Sequence, residues 1–581
     1  MRILVKIGFC LGLWMINLLG YSQNLDKLGT DEALKVTGGL SFNTIAYAQK
    51  GLAVSSREPF TWFAGGNLNF TILDVALPFT FTYSNLGAKY TQPFNRVSLN
   101  PSYKWVKTQI GITSVNYSPY TVTGHLFLGG AVEMKPGDWT IQLLGGRFNK
   151  AVDYNPIDNN LITYRNFGYG LRVGYEKAGY GGTITLFKAA DQANSIQSIP
   201  LNSEIKPQDN LVMSIAGKAK ITSSLLFDAE YALSGLTQNT LSVNDLSSNQ
   251  QTIFHTFING NETTEFFQAY NASLKYNLKF MSVALKYEHI DPGYKTLGGY
   301  YFNNDLENYT LAPSFSLFNK KLNLGLNTGY QRNNLSEEKQ ATTARWVGSL
   351  NVTFVPSKKL VLTGNYSNFS TFTRNRPATD PFYFVGADTL NFYQLTQAAS
   401  GMAAFNFGTE KIKRSAQVLY SFQESTNLLG KIDNAGAFGV NVSTDLEGLP
   451  SKNHVTNMSY SSQWVDKKLG LTFAGNYNRS AIADQTIHFF GPTLNAQKAL
   501  WDKKGSLSCG ATYNRQYQNT LLTANIVNYR ISFSYNPKLT NEKIGKVTVS
   551  TNANLMQRFA INSETTNLTE LNLFVNLNYS F

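Results

Sequence analysis

The feature that most constrains this chain is a two-residue alternation of apolar and polar side chains that recurs almost from end to end. In the final segment Leu571, Leu573, Val575, Leu577, Tyr579 and Phe581 alternate with Asn572, Phe574, Asn576, Asn578 and Ser580. Tyr529, Ile531, Phe533 and Tyr535 alternate with Asn528, Arg530, Ser532 and Ser534, and Met281, Val283, Leu285 and Tyr287 with Ser282, Ala284, Lys286 and Glu288. Successive side chains of a strand point to opposite faces, so each such segment predicts a strand with one greasy face and one polar face. Beyond the N-terminus no apolar run approaches the roughly 20 residues that a transmembrane helix needs. A helical membrane bundle is thereby excluded, whereas a membrane β-barrel, whose hydropathy averages out, is not.

A soluble antiparallel sandwich alternates in the same way. Strand length and connection length separate the two. The alternating segments run for about 10 to 14 residues, against about five or six in soluble sheets. Short lysine-bearing turns recur, among them Lys135-Pro136-Gly137-Asp138, Lys177-Ala178-Gly179, Asn319-Lys320-Lys321, Ser357-Lys358-Lys359, Asp466-Lys467-Lys468 and Asp502-Lys503-Lys504-Gly505. Between them lie longer polar stretches at 151–164, 191–208, 235–264, 375–390 and 425–453. Short turns on one rim and long loops on the other describe an all-β, transmembrane, up-and-down antiparallel barrel with short periplasmic turns and long extracellular loops. Counting from a first strand near Leu34 gives about 26 strands, or 24 if one hairpin is misread.

Charged residues make up only 15% of the 581 and aromatics 13%, which argues against disorder. The formal charge of +13 invites a nucleic-acid reading. The lysines of the turns account for much of the excess and suit contact with anionic lipid headgroups, so no nucleic-acid partner is expected. Arg2, Lys6, an apolar core over 7–19 and the small residues Gly20 and Ser22 read as a signal peptide over residues 1–22. Residues 23–33 then form a short periplasmic segment and residues 34–581 the barrel. Cys10 and Cys509 are the only cysteines, which leaves no disulfide framework once Cys10 is removed.

The lysine turns, the Asn- and Tyr-rich strands, Arg57-Glu58-Pro59-Phe60-Thr61-Trp62, Asp291-Pro292-Gly293-Tyr294 and the terminal Asn578-Tyr579-Ser580-Phe581 together resemble the large outer-membrane β-barrels of Bacteroidota. The resemblance implies the cell outer membrane as location, outer-membrane lipid as surroundings and the barrel-assembly machinery as a partner, with Tyr579 and Phe581 as the assembly signal. It also marks Asp388-Thr389-Leu390 as similar to the O-glycosylation sequon of that phylum, with Thr389 as acceptor.

In a barrel the apolar parity faces lipid and the other parity lines the lumen. Lumen parity carries Arg172, Lys218, Lys220, Lys275, Lys286, Arg345 and Arg530, with Asp228, Glu230 and Glu288 as counter-charges. If residues 222–223 form a turn, Lys218 falls opposite Asp228. Two readings stand: the charges brace the wall, or they make a net basic lumen that favours anionic solutes. The five histidines, at 125, 255, 289, 454 and 488, show no metal-binding spacing, and no nucleophile or nucleotide motif appears. No enzyme and no cofactor is expected. Asn303, Asn304, Asp305 and Glu307 read as ordinary loop residues rather than calcium ligands. Cys509 reads as lipid-facing, and Tyr287, Tyr300, Tyr301 and Phe302 as members of an interfacial girdle. A wall this wide needs something inside it, whether inward loops, a separate plug, a surface lipoprotein or a passing substrate. The functional expectation is a channel, export conduit or transport-complex component. The alternative is a non-conducting scaffold whose loops hold surface proteins or a secretion complex.

Overall fold

The computed structural model describes residues 34–51, 57–72, 75–85, 96–154, 162–197, 199, 205–242, 258, 260–300, 304–337, 344–368, 370–372, 393–427, 451–482, 485–537, 545–561 and 566–581. The expected signal peptide, the 23–33 segment, Cys10, Thr389, Tyr301, Phe302 and Asn303 lie outside the described residues, as does the side chain of Arg345.

The alternating segments form a single sheet that closes on itself as a 26-stranded, up-and-down antiparallel barrel, with no α-helix among the described residues. The first strands are β1 Leu34–Lys50, β2 Phe60–Ile72, β3 Val75–Ser84, β4 Arg96–Leu99 (continued by Ser102–Tyr103), β5 Val106–Asn116, β6 Val122–Met134, β7 Trp139–Asn149, β8 Arg165–Lys177 and β9 Tyr180–Gln192. The wall continues with β10 Asp209–Lys220, β11 Leu225–Thr237, β12 Thr264–Asn277, β13 Met281–Ile290, β14 Leu306–Leu317, β15 Leu322–Arg332, β16 Ala344–Ser357, β17 Leu360–Ser367 and β18 Tyr393–Gly408. It ends with β19 Ile412–Asn427, β20 Ser451–Trp464, β21 Leu469–Ile482, β22 Gln485–Leu500, β23 Gly505–Gln518, β24 Leu521–Tyr535, β25 Lys546–Ala560 and β26 Leu568–Ser580.

Closure joins β1 to β26, from Gly39 opposite Ser580 to Lys50 opposite Thr569. Phe581 completes the seam: its backbone N–H and C=O bond to Gly38 at 3.0 and 2.9 Å. Such a cylinder leaves no sheet edge for another chain to pair with.

The register fixes the two faces. Residues directly opposite across a strand pair share a face, so polar positions can be followed from strand to strand. Asn576 lies opposite Ser550, Arg530 opposite Gly510, Asn495 opposite Thr472, and Ser282 opposite Ser314. The opposite parity carries Ile184, Ile215, Trp346, Phe490 and Met458, each more than half exposed. Exposed apolar side chains on that scale are stable only against hydrocarbon, which makes the apolar face the outer one. Cys509 is exposed on it, as expected.

Turn chemistry shapes one rim. Between β8 and β9, Ala178 and Gly179 both have positive φ, 53° and 90°, a two-residue turn whose twist matches the flanking strands. The other rim carries the long connections, but not uniformly. Residues 483–484 and 519–520 join their strands there by two residues each. The connections on the long-loop rim are therefore long in sequence around β7–β19 and only two residues long near β21–β24.

An inward bridge over a charged chamber

Buried side chains are not spread evenly around the wall. They concentrate between residues 113 and 307, on a part of the inner face that is apolar where most of that face is polar. Phe127, Leu144, Phe148 and Phe187 form one cluster with Tyr117, Val122 and Leu297. Val212, Ala232, Ala269, Ile290 and Leu306 form a second with Tyr120 and Tyr294. The covering layer comes from two connections on the long-loop rim: the β5–β6 connection, 117–121, and residues 291–300 of the β13–β14 connection.

The two connections clasp each other. The Tyr294 hydroxyl donates to the Tyr120 carbonyl at 2.8 Å, and Thr296 Oγ1 donates to the Thr121 carbonyl at 2.5 Å. The two tyrosine rings meet edge to face with centroids 6.5 Å apart. Gly298–Gly299 then pairs in parallel with the start of β6. Anchors to the wall hold the clasp in place. Tyr120 donates to Glu288 Oε1 at 2.7 Å and accepts from Asn271 Nδ2 at 2.9 Å. Ser234 donates to the Lys295 carbonyl at 2.6 Å, and Asn210 accepts from the Leu297 N–H at 3.1 Å. The result is a bridge from β6 to β13 across the strands between them.

Burial inside the bridge changes its titratable groups. Desolvation holds the Tyr120 and Tyr294 hydroxyls well above the ordinary phenol range, with the charges of Glu288 and Glu230 adding to the respective shifts. Desolvation lowers the Lys295 ammonium below its usual value, against the pull of Asp191, while Nζ donates to Gln208 at 2.6 Å.

Beside the bridge, toward the short-turn rim, lies a polar cavity of about 420 Å³. Arg172, Lys218, Asp228 and Glu230 all line it, so the fold gathers four of the sequence-derived charges in one place. Lys218 lies opposite Asp228, as expected from the turn position. Its ammonium turns instead to Glu176, 2.5 Å away on the other side. Lys286 and Glu288 pair with each other at 3.3 Å. Lys220 and Lys275 sit lower, one row from the short turns, and Arg530 lies on β24 in a different part of the wall. The backbone of Arg345 is opposite Gln331.

Several residues of the site escaped the sequence reading: Glu133, Gln142, Glu176, Asn271 and the bridge tyrosines. One signal for the bridge existed. Leu126-Phe127-Leu128, Leu143-Leu144 and Leu211-Val212-Met213 are apolar on both parities, a break in the alternation that marks strands covered on both faces.

Two local expectations are sharpened. Tyr300 does not join an interfacial girdle; it stacks on His125 at 3.9 Å and its hydroxyl accepts from the Leu126 N–H. Tyr287 does join an outer aromatic row, beside Tyr270 and Tyr309. The loop oxygens weighed as calcium ligands are engaged by protein donors, Asp305 by the Leu335 N–H and Glu307 by Arg332 and Tyr287. No grouping of metal-ligating side chains occurs among the described residues.

No protein-family model matches the chain, and no curated protein matches it either. Among solved structures it is similar to the translocation pore of the P pilus usher PapC, at 11% identity over 94% of this chain and 99% of that one, with a TM-score of 0.37. It is similar to the FrpB iron transporter from Neisseria meningitidis at 9% identity over 96% and 83%, TM-score 0.37. A third is OccAB4 from Acinetobacter baumannii, at 8% identity over 74% and 100%, TM-score 0.29. Likeness at this level extends to a large barrel wall and not to a register or a site.

Proposed function

We propose that the chain is a non-enzymatic outer-membrane barrel that acts as a channel, an export conduit or the membrane component of a transport complex. One observation carries the reading. The polar face runs continuously around a 26-stranded wall, and the bridge covers only the strands from β6 to β13. At that strand number a circular wall is roughly 50 Å across, too wide for its own side chains to fill. In this reading residues 1–22 direct export and Tyr579 and Phe581 present the assembly signal. Arg172, Lys218, Lys220, Lys275, Lys286, Arg345 and Arg530 line the lumen with Asp228, Glu230 and Glu288. Thr389 is the loop position open to glycosylation.

The test is reconstitution of the full mature chain in planar bilayers. Large, stable conductance steps are expected. A folded, heat-resistant barrel that stays silent, with no plug co-purifying, would overturn conduction. The scaffold alternative rests on the long connections gathered at one rim, and a stoichiometric partner in native-membrane extracts of a silent barrel would favour it.

A further inference from the structure

The chamber beside the bridge holds three charged groups, Arg172, Asp228 and Glu230, that make no ion pair within 4 Å among the described residues. Lys135 pairs with Glu133 at 2.9 Å and Lys218 with Glu176 at 2.5 Å. Arg172 by contrast makes one hydrogen bond among the described residues, from Nη1 to Gln142 Oε1 at 3.0 Å. A guanidinium has five N–H donors, so most of its capacity faces the cavity. Asp228 and Glu230 line the same cavity and make no ion pair within 4 Å among the described residues. Glu230 Oε1 is buried with no donor, while the Ser118 and Ser214 hydroxyls bond to its carboxylate and the Arg172 charge acts on it from across the chamber. The buried Tyr117 hydroxyl is likewise without a partner and lies within reach of the Arg172 charge. Buried acceptors and donors left unmade are costly, and water or a ligand entering the chamber can satisfy them.

The register explains why there is room. Gly174, Thr183 and Ala216 lie side by side in the row that ends at Glu230, and Arg172 occupies the next row on β8. Three small residues hollow out the floor between a cationic flank and an anionic flank. Arg172 and Glu230 stand three strands apart, about 14 Å across the sheet, and one row apart, about 7 Å along it, and both side chains share that gap.

We propose that this chamber binds a small solute carrying both a carboxylate and an ammonium group, an amino acid or a dipeptide. Its carboxylate meets Arg172 and Gln142, and its ammonium meets Glu230 and Asp228. Two acidic groups against one basic group favour a solute with an extra positive charge. Lysine therefore binds more tightly than alanine, and alanine more tightly than glutamate. A simple anion faces two carboxylates, and a simple amine leaves Arg172 unmatched. The inference deepens the conduit reading by naming its solute class, and it rests on that reading only for access from the lumen.

Calorimetric titration of the detergent-purified full mature chain tests it, with lysine, alanine, glutamate, propionate and propylamine as probes. Lysine is expected to bind best, with propionate and propylamine at least tenfold weaker. Glu230→Gln and Arg172→Gln should each weaken lysine at least tenfold, Arg172→Lys should restore part of the loss, and Lys467→Gln, in the short turn after β20, should change nothing. Heat-resistant migration of every variant confirms the closed barrel. The proposal is overturned if no probe binds at millimolar concentration, if singly charged probes bind as well as lysine, or if Lys467→Gln weakens lysine as much as Glu230→Gln. A chain that conducts without binding lysine sinks this inference alone. One that binds lysine without conducting sinks the conduit alone.

Discussion

From β18 to β26 the inner face is a lattice of small amides and hydroxyls that bond sideways across strands. Asn457 donates to Asn476, Asn476 to Thr493 at 2.6 Å, and Thr493 and Thr512 share a hydrogen bond of 2.9 Å, a chain that crosses four strands. Ser415 and Ser461 add another at 2.8 Å. From β6 to β13 the inner face is different. Its long-loop half is apolar and lies under the bridge, and its short-turn half is charged and lines the chamber. The first region is a wall complete in one layer, because its amides and hydroxyls bond across to neighbouring strands, with the oxygens of Asn514 and Asn552 as exceptions. The second needs another layer, because phenylalanine and valine on the inner face must be shielded from water. The bridge supplies that layer, and the chamber below it gathers Arg172, Lys218, Asp228 and Glu230.

The largest expected effect comes from taking the cover away. Tyr120→Ala with Tyr294→Ala removes two buried rings, and each such truncation costs about 3–5 kcal/mol. The strand ladder is untouched, so the barrel should stay closed while the bridge detaches. Hydrogen exchange should rise steeply at 117–121 and 291–300 with little change in β18–β26, and bilayer conductance should increase. Uniform loss of protection around the wall would show that the two regions are not separable in this way.

A second, smaller effect distinguishes how the two regions place ion pairs. Lys188 and Asp209 form a pair on the outer side of β9 and β10, with the Asp209 side chain only 2% exposed. Lys188→Met leaves that carboxylate buried without its counter-charge, at a cost of about 3–5 kcal/mol. Urea unfolding in lipid vesicles should show the loss. Equal stability would mean that water reaches Asp209.

The lattice of the single-layer region should respond more gently. Asn476→Ala removes one donor and one acceptor, each hydrogen bond being worth about 1 kcal/mol net. A double-mutant cycle with Thr493→Val in the same unfolding assay should give a coupling of about 0.5 kcal/mol or more. Additivity within error would mean the lattice is incidental to the wall.

The contrast between the two regions also explains what could be read in advance. Wherever the wall is one layer thick, each strand has one lipid face and one water face. Alternation then states the fold almost directly: the segment Leu571 to Phe581 displays its outer and inner rows in the bare sequence. The strand number, the turn after Lys177 and the opposition of Lys218 to Asp228 follow from the same local rules. The bridge does not, because it depends on contacts between residues 174 positions apart, as between Tyr120 and Tyr294. Its trace in the sequence is a loss of period, as at Leu211-Val212-Met213, which periodicity alone cannot tell from a buried helix segment. The partner of Lys218 was equally out of reach locally. Asp228 is directly opposite across one hairpin, but the side chain reaches Glu176 on β8, two strands away, which only the assembled sheet brings near.

The smallest effect belongs to an ion pair on the short-turn rim of the single-layer region. Lys468, in the turn after β20, donates to Asp502, in the turn after β22, at 2.6 Å, and the Asp502 side chain is 91% exposed. The hydrogen bond and charge of Lys468 hold the Asp502 carboxyl below its ordinary value of 3.8. A carboxyl depressed in the folded state contributes stability that is fully present above that ordinary value and is lost as pH falls through the lower folded one. Asp502→Asn should therefore melt slightly below the parent at neutral pH, with the gap shrinking as the buffer is taken below pH 3.8. Raising the salt concentration at neutral pH should shrink it as well, because water and ions reach an exposed pair and screen it. Lys188 and Asp209 are the internal standard. If the Asp502 gap proves as large as the loss from Lys188→Met, exposure does not set the worth of an ion pair on this wall, and the contrast between its buried and exposed pairs loses its energetic basis.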